Sequence, residues 1–159
     1  MEAIMNFRIS GLPAAEFQPL FNLSGDELRS RDARRVVADA KPGFPCRVSL
    51  ADAEVGEELI LLNHTHQAVR SPYRASGPVF VRRAATQAFD QIGNVPEQLC
   101  VRLLSLRAYD STDSIIQADV VDGREVERLL SAFLADPKTA YIHIHFARHG
   151  CYAARAERA

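Results

Sequence analysis

The sequence predicts an α+β fold: a single domain built on a mainly antiparallel sheet, with one long helix in the C-terminal half and short helices near the N-terminus. Three observations lead there. Short stretches of alternating or continuous apolar residues recur along the chain, and most of their connections are too short for a helical crossover. One segment carries a strong helical stripe. The 159 residues, 47% of them apolar, suffice to bury a core without a disulfide or a metal.

In chain order, residues 5–10 alternate well enough for an opening strand, with Phe7 and Ile9 on one face, and Gly11 to Pro13 punctuate it. Residues 14–21 suit a short helix with Phe17, Leu20 and Phe21 as its stripe. Ser24-Gly25-Asp26-Glu27 is a capping box and starts a second short helix whose body carries Arg29, Arg31, Arg34 and Arg35. Val36 and Val37 read as strand. Lys41-Pro42-Gly43 has the chemistry of a type II turn, and Phe44–Pro45 is a candidate cis bond. Residues 49–56 suit a helical turn ending in a loop, and residues 57–63 a central strand. A turn-rich stretch follows over 72–78, then a strand over 79–81. Residues 84–98 read as a loop with a helical turn, and 99–109 as the longest strand, with Cys100 in the core. Residues 114–121 form a further strand. Behind a second capping box, Asp122-Gly123-Arg124-Glu125, the residues Val126, Leu129, Leu130, Phe133 and Leu134 share one helical stripe that Pro137 ends. Residues 140–147 are a strand, returned as a hairpin by 151–157.

Composition removes several function classes. A net charge of -1 lacks the basic field of a general nucleic-acid binder. No window approaches the roughly 18 apolar residues of a membrane span, and the N-terminus has no signal-peptide pattern, so a cytoplasmic protein is expected. Cys46, Cys100 and Cys151 are widely spaced, as reduced thiols are. Of the 19 basic residues only Lys41 and Lys138 are lysines. Genome composition explains most of that excess; anion recognition by the planar guanidinium explains it only at chosen positions.

The five histidines fall in two clusters, at 64 and 66 and at 143, 145 and 149. Period-two geometry places His143 and His145 on the face opposite Ile142, Ile144 and Phe146, toward solvent or a pocket. His64 and His66 share a face if their strand continues. Two such pairs on converging strands offer His64, His66, His143 and His145 to zinc or another transition metal. The pairs fit neither the cupin motif nor the two-histidine phosphoesterase motif. Cys46 stands beside Arg47, a neighbour that can activate a thiol, although adjacent strand residues point to opposite faces. Residues 71–78 supply Tyr73, Arg74, two hydroxyls and a glycine before a strand, the parts of a polar-ligand cradle.

Residues 41–50, 71–82 and 143–155 together resemble a bacterial family, domain of unknown function 1203. The likeness begins at Met5 and covers nearly the whole chain. It implies one bacterial, cytosolic domain over residues 5–159, with Met5 as an alternative start and residues 1–4 as an extension. It implies no activity. Its motif matches Cys46, Arg47, His66, Pro72, Tyr73, His145, Gly150 and Cys151; His64 and His143 are less characteristic. The resemblance thus favours a mixed pocket over a four-histidine site. In that pocket Cys46, His66 and His145 are the catalytic candidates, and Arg47, Tyr73, Arg74 and Cys151 the ligand-binding ones. Three readings follow: a pocket for a small anionic ligand, catalytic or not; a non-catalytic interaction domain, with a homodimer open; and a metal-binding protein.

Overall fold

The computed structural model describes residues 6–159; the expected extension over residues 1–4, and Met5, lie outside them. Among the described residues nine strands make two antiparallel sheets, so the α+β class holds. Strands β1 (Phe7–Ser10), β5 (Asp90–Ile92), β6 (Leu103–Tyr109), β7 (Ile115–Asp122), β8 (Tyr141–Phe146) and β9 (Tyr152–Arg158) form a sheet of order β5-β1-β9-β8-β6-β7. Strands β2 (Ala33–Val37), β3 (Glu58–Gln67) and β4 (Ala75–Arg82) form the smaller sheet, with β3 central.

The helices are α1 (Ala14–Phe17), α2 (Gly25–Arg29), α3 (Glu97–Cys100) and α4 (Val126–Ala135). The apolar stripe of α4, extended by a 3-10 turn over Gly123–Glu125, lies on one face of the large sheet. There Leu129, Leu130, Phe133 and Leu134 pack with Ile9, Leu104, Leu106, Ile142 and Ile144. Asp122 caps the turn through the Arg124 amide. At its other end α4 has no basic residue of its own; Arg158 of β9 donates to the carbonyls of Leu134 and Asp136 instead. A second core, with Phe17, Phe21, Leu28, Cys46, Val48, Ile60 and Val81, sits under the small sheet.

Several expectations need correction. The segment 14–21 is not one helix, because Pro19 tightens it into a 3-10 turn after Phe17. The capping box of Ser24 forms as predicted, but α2 ends at Arg29. Asp32, at a left-handed φ of 54°, redirects the chain, so Arg34 and Arg35 belong to β2. The cis bond is Lys41–Pro42, not Phe44–Pro45, and Gly43 does not take the positive φ of a type II turn. Residues 49–56 are irregular, with Leu50 left-handed and Asp52 bridged to Pro45. Strand β4 starts at Ala75, inside the expected turn, and β5 emerges from the expected loop. Pro96 opens α3, which takes Leu99 and Cys100 out of the strand; Cys100 is therefore half-buried beside a cleft, and β3 is the longest strand. All six residues of β8 are buried, so neither His143 nor His145 faces solvent.

No helix among the described residues is long and apolar enough to cross a membrane.

Candidate functional site

The second face of the large sheet is polar. Antiparallel pairing places Arg107 of β6 and Arg155 of β9 on either side of His143. Ser105 lies opposite His145. A bulge between Ile144 and His145 brings Tyr152 into register with His145. His66 of β3 meets this face from the small sheet: its ring stacks on Tyr152 at 5.2 Å and stands edge-on to His145 at 5.2 Å and to His143 at 6.2 Å. One histidine from the first cluster thus meets two from the second.

His64 does not join them. The register of β3 shifts between His64 and Gln67, and the His64 ring lies against Phe17, with Glu16 at 3.8 Å. The strand continues, as the shared face required, but its regularity does not. Hence the four-imidazole set is not assembled, and among the described residues no three His, Cys, Asp or Glu side chains form a metal-ligand group.

The three meeting imidazoles are held neutral. Burial, the largest cause, pushes His66 down to about 4, His143 to about 3 and His145 to about 4; Arg107 disfavours the charged form in each case. The His145 Nδ1 lies 3.0 Å from the Gly150 carbonyl, which can only accept, so Nδ1 carries the proton. That leaves Nε2 of His145, with Nδ1 of His66 and of His143, as buried atoms without a hydrogen-bond partner among the described residues. At the far end of the row the Tyr141 hydroxyl accepts from Gln67 at 2.9 Å and donates to Asp113 at 2.6 Å. Burial, then the Asp113 contact, pushes that phenol up to about 12.

The hairpin turn after β8 carries the row to a cleft of about 820 Å³. Across this turn the Phe146 amide donates to the Cys151 carbonyl and the Gly150 amide to the Phe146 carbonyl, and Gly150 adopts φ 80°, which a residue with a Cβ takes only at a cost. Cys151 thereby reaches Arg47. The Arg47 side chain is only 1% exposed. Its Nε donates to the Tyr152 carbonyl at 2.8 Å, one terminal nitrogen to the Pro45 carbonyl at 2.6 Å, and the other to Cys151 Sγ at 2.9 Å. The guanidinium lies 5.0 Å from the centre of the Phe146 ring. Burial pulls its pKa below the usual value, opposed mainly by Cys151 and Cys46. Arg102, Arg124 and Arg148 line the same cleft. Arg102 is clamped by both oxygens of Asp52, at 3.0 and 2.7 Å. Among the described residues no carboxylate pairs with Arg47, Arg124 or Arg148.

Residues 43–158 match the family model described as a protein of unknown function, domain of unknown function 1203. The chain belongs to this family. No curated protein and no solved structure matches it. Every histidine, cysteine and arginine placed above in the row or the cleft falls within the segment matched to domain 1203.

The remaining candidates of this domain-1203 chain lie apart. Cys46 is wholly buried, its Sγ accepting from the Arg82 amide at 3.4 Å, and it does not line the cleft. Tyr73 is exposed beside Tyr109, at the opposite end of the histidine row, and Arg74 is exposed in the turn before β4. Sequence reasoning passed over Arg102, Arg124, Arg148 and Cys100. The only signal for them was the arginine excess, together with their positions just beyond strand or helix ends.

Proposed function

We propose that this protein binds a small anionic molecule in the arginine-lined cleft, with Cys151 presented to the ligand. The carrying observation is Arg47: a buried guanidinium whose partners are two carbonyls, a thiol and an aromatic face. Leaving a buried charge without its counter-ion costs several kcal/mol. Hydrogen bonds to carbonyls offset part of that and leave the positive field in place. Arg124 and Arg148 add to this field, and among the described residues Asp122 is the one carboxylate that lines the cleft. Three arginines without a carboxylate partner against one acid favour an anion.

Cys151 fits the role of a ligand-facing thiol better than Cys46, which is sealed from the cleft. His145 fits a positioning role through Gly150. With its pKa near 4 it is poorly matched to general-base work at neutral pH. The other candidates keep lesser roles: His66 buttresses the Tyr152 ring, while Tyr73 and Arg74 do not line the cleft.

Competitive alkylation tests this reading. Iodoacetate and iodoacetamide differ in charge, and a cationic cleft concentrates the carboxylate reagent, by tenfold or more in strong fields. Peptide mapping should show Cys151 modified and Cys46 spared. The iodoacetate-to-iodoacetamide rate ratio at Cys151 should exceed that of glutathione roughly tenfold, and millimolar phosphate should slow the reaction. A glutathione-like ratio that phosphate leaves untouched would overturn the anion-binding reading.

A further inference from the structure

We infer that the ligand is an amphipathic anion: a single carboxylate, sulfonate or phosphate head on an apolar body. This rests on the anion-binding reading and names its ligand class. The lining of the cleft combines two chemistries, guanidinium groups and apolar side chains. Arg102, Arg124 and Arg148 project from loops at one end of the large sheet: before β6, after β7 and after β8. The apolar part comes mainly from the small sheet and the β2–β3 connection. There Leu61, Pro78 and Phe80 line the space with Phe44, whose ring lies 5.2 Å from that of Phe80.

Volume supports the same conclusion. A free oxyanion of five heavy atoms occupies on the order of 100 Å³, about three to four water volumes. The cleft, at about 820 Å³, is several times larger and falls within the range of sites that enclose drug-sized ligands. An oxyanion alone would satisfy the arginines and leave the Phe44–Phe80 wall against water. Apolar surface also continues at the lip, where Val101 and Leu103 are each 41% exposed. A bound apolar body covers that surface while its head meets the guanidinium groups, with Arg47 behind them.

Fluorescence titration of the full chain with 1-anilinonaphthalene-8-sulfonate tests this, set against its uncharged analogue N-phenyl-1-naphthylamine and against inorganic phosphate. The sulfonate should bind with a stoichiometry of one, at least tenfold tighter than the neutral analogue and a hundredfold tighter than phosphate. Combined Arg124→Ala and Arg148→Ala substitution should weaken it about tenfold. Phe80→Ala should weaken the sulfonate while leaving the phosphate effect on Cys151 alkylation intact. Val101→Ser, an uncharged change at an exposed lip position, should weaken it as well and serves if Phe80→Ala does not fold. Phosphate binding as tightly as the sulfonate, or Phe80→Ala and Val101→Ser both without effect, would overturn the amphipathic ligand and leave the anion site standing. Equal binding of the neutral analogue, with no loss in the double arginine variant, would remove the anion site itself.

Discussion

The buried histidines make stability depend on pH in a defined window. In the folded chain His143 and His145 are almost wholly buried, at 3% and 1% exposure, with pKa values depressed to about 3 and about 4 from an ordinary 6.5. Unfolding returns each ring to water. Below pH 6.5 the unfolded chain therefore takes up protons that the folded chain refuses, so stability is full above that pH and is lost as pH falls toward 4. At pH 5 the linkage amounts to about 2 kcal/mol per ring, or ~4 kcal/mol for the two. His66 and His64, also depressed by burial, act in the same direction. Glu57, the part-buried carboxylate held low by Arg82, acts below the ordinary 4.5 and does not confuse the window. For a chain of this size ~4 kcal/mol corresponds to a fall in Tm of roughly 8–16 °C. Urea unfolding followed by circular dichroism at pH 7, 6 and 5 measures it, and replacing His143 with Phe should remove about 2 kcal/mol of the fall at pH 5. A stability that is flat between pH 7 and pH 5 would refute the claim that these rings are buried and neutral. So would ring proton resonances of His143 and His145 that titrate near 6.5.

Three further outcomes are expected. Leu130→Ala, in the fully buried stripe of α4, should lose about 2–5 kcal/mol in denaturant unfolding with the fold retained. Gly123→Ala should destabilise by about 1–3 kcal/mol or more, because the new Cβ would lie 1.8 Å from the Leu99 carbonyl oxygen and 2.7 Å from that of Arg102. Since Arg102 lines the cleft, affinity for the proposed anion should fall as well, as a titration will show. Arg47→Lys keeps the charge but cannot reach the carbonyls of Pro45 and Tyr152 and the Cys151 sulfur together. It should lower Tm measurably and make Cys151 alkylation less selective for iodoacetate.

Local pattern was readable wherever a residue's environment depended on its neighbours in sequence. The Ser24 box and the α4 stripe both stand where spacing placed them, and so does the alternation along 141–147. What lay across from each face was not readable. The histidine side of β8 was expected to meet solvent or a pocket, yet β3 covers it, because sheet-on-sheet packing is set by residues nearly eighty positions away. The same holds for His64, whose direction turns on one register shift that alternation alone does not reveal. Cys46 and Arg47 are neighbours in sequence, and the alternation that sends adjacent residues to opposite faces separates them. It sends the thiol into the core and the guanidinium toward Cys151. Arg102, Arg124 and Arg148 carried no local signature, since they meet only where loop ends converge.

Arg47 and Cys151 are 104 residues apart, and Phe7 of β1 pairs with Arg158 of β9. Contacts of such separation form only after long loops have closed, which places this topology among the slower-folding ones. No partly folded fragment containing one half of the chain can hold both the guanidinium and the sulfur. The Arg47–Cys151 contact is therefore a reporter of complete folding: in a refolding experiment it should form with the last kinetic phase, after α4 has acquired its helical signal.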